Sequence, residues 1–590
     1  MLFFGPHATA VHNLPRGFSW AMWPAFFVQA ATLGLLLFLA ALPFSVSPRV
    51  YRVAVPLLSS LATIGIVVDA VLYRLVGFHI NGFFFRVFVQ PGALKEIGVP
   101  YWQAGLVVLA GAGLVAAEIA LFPRFAAWLE GAPRRSWTLA LVLLLAGTGE
   151  RLAVATLAWW GGPGVFASGQ VMPLQVPLRM NGFLAKITGR PADTLPDPFS
   201  GAAKEAQSRL PAGLPASAVK FTRTPDIVFV VAESLRADFL DEKTMPRILE
   251  RAKEGAVFER HYSTAPATFY GIFSLLFGLQ AHKADAVLGA GRPPILFPAL
   301  KQNGYQTHLV AASSVDWMGL KDGVFGEVKD ELETDWGGPF APRDGEMMRR
   351  AQAWVSKTDP RKPVFLFLFF FGTHFDYFYP ERSAVYSPAW DGKGSVKATT
   401  EPAENIKNRA RNAAHEVDWK LEEFLQWYEQ TRGRRPLVLF TGDHGEEFRE
   451  HGRIGHGSDV TNEQIHVPMV LAGEGVPRGR FDAPTSHTDL VPTLFQLLGD
   501  ANAPDRYSDG VPLYAAPKDR FVLATVGWEP TYAAVGHDVK VRFAALDGFG
   551  RVQITDPKDV LLPDGAARFP LIAPKILKMM GQDPGKVAAR

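Results

Sequence analysis

The 590-residue chain predicts two parts made for different solvents: an N-terminal bundle of membrane-crossing helices, then an α/β domain in water with a central, largely parallel sheet. Three observations predict it. Apolar residues concentrate before residue 161, charged residues concentrate after about residue 201, and from residue 225 short apolar runs alternate with amphipathic stretches.

Taken in order, residues 19–44, 53–75, 104–122 and 139–160 are each apolar over about the 20 residues a helix needs to cross a hydrocarbon core. Four such runs with few charges predict a four-helix transmembrane domain over 1–160. The connection holding Arg49 and Arg52 and the one holding Arg124, Arg134 and Arg135 are the basic ones, so both are expected on the cytoplasmic side. Everything after Trp160, and the N-terminus, then faces outward. Met1 to Arg16 lacks a basic stretch followed by an apolar core, so the first span is expected to serve as its own signal. Residues 79–102 are aromatic but too polar to span, which predicts an interfacial segment. Residues 161–220, rich in Gly, Pro, Ala and Ser, predict a connector along the membrane with a short helix near 181–187.

Beyond the connector, strands are predicted at 227–231, 308–312, 364–370, 437–440 and 469–471, and helices at 245–254, 345–357 and 405–431. They outline a catalytic domain over 221–515. The strand-like pieces at 521–526, 540–545 and 552–554 predict a C-terminal subdomain over 516–590. A formal net charge of +3, with no basic stripe interleaved with aromatics, argues against a nucleic-acid partner. The absence of cysteine excludes disulfides, thiolate metal sites and a cysteine nucleophile.

Chemistry is expected where strands end, because ligands of open α/β sheets gather at carboxyl ends. Four segments qualify: Asp226 to Glu233 and Ser234; Thr264 to Gly271 leading into an apolar run; Gly372-Thr-His374-Phe-Asp-Tyr377; and Thr441-Gly-Asp443-His444-Gly-Glu446-Glu447, followed by His451, His456 and His466. Thr268 stands where an expected helix N-terminus favours an anionic phosphoryl group. Five of the 14 histidines fall between 441 and 487, a density that points to imidazole and carboxylate converging on a divalent metal. Asp238, Asp241 and Glu447 are read as a solvated face.

Glu233, Thr268, Asp443-His444-Gly-Glu446, His456-Gly and Ser486-His-Thr-Asp489-Leu-Val-Pro-Thr-Leu together resemble the alkaline phosphatase and sulfatase superfamily over about residues 225–515. Within it the chain is most similar to membrane phosphoethanolamine transferases and lipoteichoic acid synthases. The resemblance implies an alkaline-phosphatase-like (sulfatase-like) fold, with Glu233, Thr268, Asp443 and His444 as metal ligands and Thr268 as nucleophile. It implies that His374 and His456 hold substrate phosphate or a second metal. Zinc is the preferred ion and manganese the alternative.

The sulfatase nucleophile, a formylglycine made from Cys or Ser, maps to Thr268, and the arginine expected four residues later is Ile272. Threonine cannot become formylglycine, so sulfate ester hydrolysis is disfavoured. The resemblance implies instead transfer of a phospholipid head-group phosphoryl unit, phosphoethanolamine or phosphoglycerol, to an envelope lipid or glycan, from the outer face of a bacterial inner membrane. A phosphodiesterase is the hydrolytic alternative. The N-terminal half, Asp69 to Asn81 and Met172 to Met180, is also similar to enterobacterial inner-membrane lipopolysaccharide-sensing proteins, which makes a non-catalytic lipid sensor the alternative from another class.

Overall fold

A computed structural model of the chain describes residues 33–37, 39–76, 80, 101–130, 133–159, 180–189, 210–211, 213–316, 319–334, 336, 343–393, 400–526, 531–544 and 552–580. They divide into two compact units, Met1–Pro196 and Asp197–Arg590.

In the first unit, the helices Pro48–Val76 and Tyr101–Glu130 contain Pro48–Ala70 and Gly105–Trp128, which are long and apolar enough to cross a membrane. Their outward surface is apolar, with Leu106, Val107, Val108 and Leu109 all 55% exposed or more. Water penalises such a surface and lipid does not. A third helix, Pro133–Trp159, is long enough but carries Arg134, Arg135, Glu150 and Arg151. The span expected at 19–44 and the interfacial segment at 79–102 lie largely outside the described residues. Of the connector, the short helix is present as Asn181–Thr188, ended by Gly189 in the left-handed region that favours glycine.

The second unit is organised by an eight-stranded sheet. Its strands are β1 (Ile227–Ala232), β2 (Ala256–Phe258), β4 (Gln306–Ala311), β5 (Leu332–Glu333), β6 (Val364–Phe370), β7 (Leu437–Gly442), β10 (Met469–Ala472) and β11 (Gly479–Phe481). The order is β11-β2-β10-β7-β1-β6-β4-β5. Only β10 runs against the rest. Continuous apolar strands such as IVFVVA and VFLFLFF have no polar face to offer water, so they are covered on both sides. On one side Val228, Val230 and Ala232 meet the helix Ala403–Arg432 through Ile406, Ala410, Ala413, Val417 and Leu421, spaced three to four apart along one helical face. On the other, Phe229 and Phe367 pack edge to face with ring centroids 5.5 Å apart, a pairing that adds about 1 kcal/mol to simple burial.

Short pairs fasten the loops around the sheet: β3 (His261–Tyr262) with β12 (Thr485–Ser486), and β8 (Glu447–Phe448) with β9 (Ile454–Gly455). The C-terminal residues form an antiparallel sheet of β13 (Val522–Thr525), β14 (Thr531–Val535), β15 (Lys540–Ala544) and β16 (Val552–Thr555). One face packs under the helix Gly565–Met579, and the other meets Tyr262, Val460 and Ile465.

Candidate active site

The strands β7, β1 and β6 are neighbours at the centre of the sheet, and their carboxyl ends deliver three of the four expected segments to one place. Glu233 follows β1, with its N–H still donating to Phe370 O at 3.0 Å. Ser234 then takes a positive φ of 58°, a conformation few side chains tolerate, and turns the chain out of the sheet. Asp443 and His444 follow β7, and the Gly372 to Tyr377 segment follows β6.

The fourth segment arrives by close packing. The helix Thr268–Phe277 is buried at every residue, and at Gly271 a Cβ would stand 2.4 Å from Asp443 O, so only glycine lets the helix lie against the end of β7. That contact brings Thr268 to the strand ends. Thr268 is the first residue of the helix and does not cap it. Its Oγ1 donates to Glu233 Oε1 at 2.7 Å and lies 3.2 Å from His444 Nε2.

Around this hydroxyl the polar groups are short of positive charge. Asp443 Oδ1 accepts the N–H groups of Ser234 (2.9 Å) and His444 (2.8 Å), whereas Oδ2 is buried with no hydrogen-bond partner. His444 Nδ1 donates to Gly445 O at 2.9 Å, which fixes the tautomer and leaves the Nε2 lone pair 3.4 Å from Asp443 Oδ2 and 3.5 Å from Glu233 Oε1. Burial pushes Glu233 up to about 7 against the pull of His456 and the Thr268 hydrogen bond. Asp443 is likewise pushed up to about 7, by burial and then by Glu233. Two carboxylates, the imidazole Nε2 of His444 and a hydroxyl, with an orphaned carboxylate oxygen among them, form a donor set that a divalent cation would balance.

His456 borders the same space. Its ring centroid is 4.1 Å from that of His444, and ligand atoms of Glu233, His444 and His456 all lie within 4.8 Å of one another. Glu446 holds His456, its Oε2 accepting from Nδ1 at 2.6 Å while Oε1 accepts from the Tyr377 hydroxyl at 2.8 Å. Burial opposes ionisation of Glu446, but His456 and these hydrogen bonds outweigh it and keep the carboxyl below its ordinary range. His374 stacks on Phe371 with its ring 5.8 Å from that of His456, and burial, followed by His456, pushes it down to about 3. It is a neutral imidazole at physiological pH.

All six expected site residues therefore meet in one cluster. Of the five histidines between 441 and 487, however, only His444 and His456 belong to it. His451 pairs with Glu463 at 3.0 Å, His466 stacks on Tyr262 and meets Glu259 O at 2.8 Å, and His487 meets Gly442 O at 3.1 Å. The solvated-face reading of Glu447 is also corrected. It is fully buried, and its carboxylate accepts the N–H groups of His451 and Arg453 and the Gln464 amide, organising the loop that carries His456. Sequence reasoning missed Ser263, whose hydroxyl donates to Asp443 O at 2.6 Å, and the supporting roles of Ser234 and Tyr377, which it had flagged only as parts of strand-end segments. Tyr377 lay inside a flagged segment, but nothing in the pattern joined it to Glu446.

Residues 225–500 match the sulfatase family. Similar proteins include the inner membrane protein YejM of Salmonella typhimurium, 26% identical over 47% of this chain and 42% of that protein. Another is the Kdo(2)-lipid A phosphoethanolamine 7''-transferase of Escherichia coli, 24% identical over 42% of this chain and 44% of that protein. The chain thus spans less than half the length of these curated relatives. Among solved structures, the integral membrane protein lipooligosaccharide phosphoethanolamine transferase A (EptA) of Neisseria meningitidis shares the fold, with a TM-score of 0.53 and 16% identity over 79% of this chain and 88% of that one. By family match over residues 225–500 and by sheet topology, the second unit carries a sulfatase-like domain.

Proposed function

We propose that this chain is a metal-dependent phosphotransferase of the inner membrane. It moves a phospholipid head-group phosphoryl unit, phosphoethanolamine or phosphoglycerol, through a Thr268-linked intermediate to a lipid or glycan of the cell envelope. The observation that carries the reading is one buried hydroxyl at a helix N-terminus, with Thr268 Oγ1 2.7 Å from Glu233 Oε1 and 3.2 Å from His444 Nε2. The relative named for phosphoethanolamine transfer to Kdo(2)-lipid A supports the same reaction class.

Glu233, Thr268, Asp443 and His444 would hold the divalent ion, and His456 beside them keeps its second ring nitrogen for proton transfer. Zinc by preference, or manganese, would supply Lewis acidity that lowers the hydroxyl pKa and offsets the two buried carboxylates.

The residues themselves account for the proton traffic. In the first half-reaction Thr268 Oγ1 bonds to phosphorus as the bond from phosphorus to the diacylglycerol oxygen breaks. The hydroxyl proton is directed to Glu233 Oε1, already its acceptor. His456, anchored through Nδ1 to Glu446, keeps Nε2 for protonating the departing alkoxide. His374, held neutral, donates an N–H to a phosphoryl oxygen without adding charge. In the second half-reaction an acceptor hydroxyl gives its proton to His456 and bonds to phosphorus. The Thr268 oxygen departs and recovers its proton from Glu233, so neither half leaves a proton unaccounted for.

In this reading 1–160 is the multi-pass membrane domain and 161–220 the connector along the bilayer. The catalytic domain 221–515 and the subdomain 516–590 face the periplasm. Support comes from the basic connections at Arg49, Arg52, Arg124, Arg134 and Arg135 and from the two long apolar helices.

The test is intact-mass spectrometry of the purified full chain, supplied with zinc or manganese and given phosphatidylethanolamine or phosphatidylglycerol. An adduct on Thr268 that an acceptor glycolipid discharges supports transfer, and its mass names the donor. An adduct discharged by water alone makes the protein a phosphodiesterase. A folded protein that binds neither metal nor adduct refutes both and leaves the lipid sensor.

A further inference from the structure

Apart from the site, the second unit has one surface feature that water alone does not explain. Among its described residues, three large apolar side chains are more than half exposed, Val560 (62%), Leu561 (65%) and Leu571 (77%), and all three fall within 560–571. Single exposed apolar residues are ordinary on protein surfaces, but a concentration of them marks a contact.

The helix Gly565–Met579 explains the geometry. Ala573, Ile576, Leu577 and Met580 turn inward onto the C-terminal sheet. The opposite stripe, at intervals of three, four and three residues, is Arg568, Leu571, Lys575 and Lys578, all exposed. Lys558 adds another exposed cation beside Val560 and Leu561. Asp559 turns inward to Lys540 at 2.7 Å and Asp556 accepts the N–H groups of Lys558 and Val560, while on the face itself Asp564 pairs with Arg568 at 2.8 Å and Asp519 with Lys575 at 3.3 Å. The face left to solvent is apolar at its tips, and around them Lys558 and Lys578 have no carboxylate partner among the described residues while Arg568 and Lys575 share theirs with solvent.

We infer that this C-terminal face, Val560, Leu561 and Leu571 with Lys558, Arg568, Lys575 and Lys578, docks on the anionic surface of a lipid bilayer. Apolar side chains that enter the head-group boundary, ringed by long basic chains that keep their charge at the phosphates, are the chemistry of an interfacial element. A protein partner would need a complementary shape, whereas a fluid anionic surface needs only this charge and these few apolar tips. The inference rests on the membrane reading of the first unit but not on catalysis. Membrane helices in the same chain keep the second unit near a bilayer, so a face too weak to bind vesicles by itself is occupied by effective concentration.

The chain has no cysteine, so one introduced thiol labels one place. Full-length Leu561→Cys and Leu571→Cys, with Lys357→Cys as an exposed reference, are labelled with an environment-sensitive fluorophore. They are then reconstituted into phosphatidylethanolamine–phosphatidylglycerol vesicles containing spin-labelled lipid. Quenching by the lipid should be at least roughly threefold stronger at 561 and 571 than at 357. It should fall toward the reference in phosphatidylcholine vesicles, at high salt, or when Lys558, Lys575 and Lys578 are replaced by Glu. Labels as open to iodide as the reference would overturn the proposal. So would labels shielded from iodide but unquenched by lipid, because protein would then cover the face. Quenching indifferent to lipid charge and to the Lys→Glu changes would overturn the anionic assignment.

Discussion

Strand β1 has a buried carboxylate at each end, and the two are treated in opposite ways. At the amino end Asp226 is surrounded by donors: Val364 N–H at 2.9 Å, the Tyr428 hydroxyl at 2.9 Å, Arg432 Nε at 3.0 Å and Arg434 Nη2 at 2.7 Å. Burial opposes its ionisation, but the two arginines, the backbone N–H and the tyrosine hold it below the usual carboxylate range. At the carboxyl end Glu233 has no arginine, burial outweighs the pull of His456 and the Thr268 hydrogen bond, and Glu233 and its neighbour Asp443 are both pushed up to about 7. The first arrangement joins the strand to the chain around it. The second is electrostatically incomplete, and such incompleteness in a cleft is a mark of a functional site.

The comparison can be broken or sharpened, beginning with the largest effect. Thr268→Ala should lower head-group transfer by roughly 10³-fold or more while costing only about 1 kcal/mol of stability, because it removes the nucleophile, one buried hydrogen bond to Glu233 and little packing. Radiolabelled phospholipid turnover beside urea unfolding measures both. At the other end of β1, Asp226→Asn should cost about 3 kcal/mol of stability, since two arginines lose their counter-charge. Because the folded pKa of Asp226 is depressed, its stabilisation is present above the unfolded value near 4 and is lost as pH falls through the folded value. Acid unfolding of the wild type should show that loss and Asp226→Asn should lack it.

The site carboxylates have the reverse sign. Their folded pKa values are raised, so without metal they lower stability as pH rises from about 4 towards 7. A divalent ion at 100 times its Kd should then restore about 2.7 kcal/mol. Calorimetric Tm values with zinc or chelator should diverge above pH 7 and converge near pH 5. Asp443→Asn should remove most of the divergence, and equal divergence at both pH values would contradict the assignment. The smallest effect belongs to Tyr377→Phe, which frees one Glu446 oxygen and should cost about 1 kcal/mol. It should lower kcat through misplaced His456 more than it changes KM.

Much of this was legible before any coordinates. The runs IVFVVA and VFLFLFF are short and rich in β-branched or aromatic residues, which favours buried strands over buried helix. The polar residues at their ends stand out because a sheet this apolar can expose chemistry only there. Histidine density was a poorer guide, since His451, His466 and His487 serve loop packing and proximity along a chain says little about where a loop points each ring. Glu447 misled for a related reason, because its partners are backbone N–H groups of the loop that folds over it, and those leave no trace in side-chain identity.

By itself the sequence pointed to an apolar half, an α/β sheet and the polar segments that end its strands, because hydropathy, strand period and residue chemistry are local properties; resemblance to the alkaline phosphatase and sulfatase superfamily singled out the six site residues. Only tertiary structure decided that Thr268 lies at hydrogen-bonding distance from Glu233 rather than capping its own helix. That distance depends on a glycine 172 residues before Asp443 allowing a helix against its backbone, and a contact between remote segments is a property of packing that neither segment encodes alone.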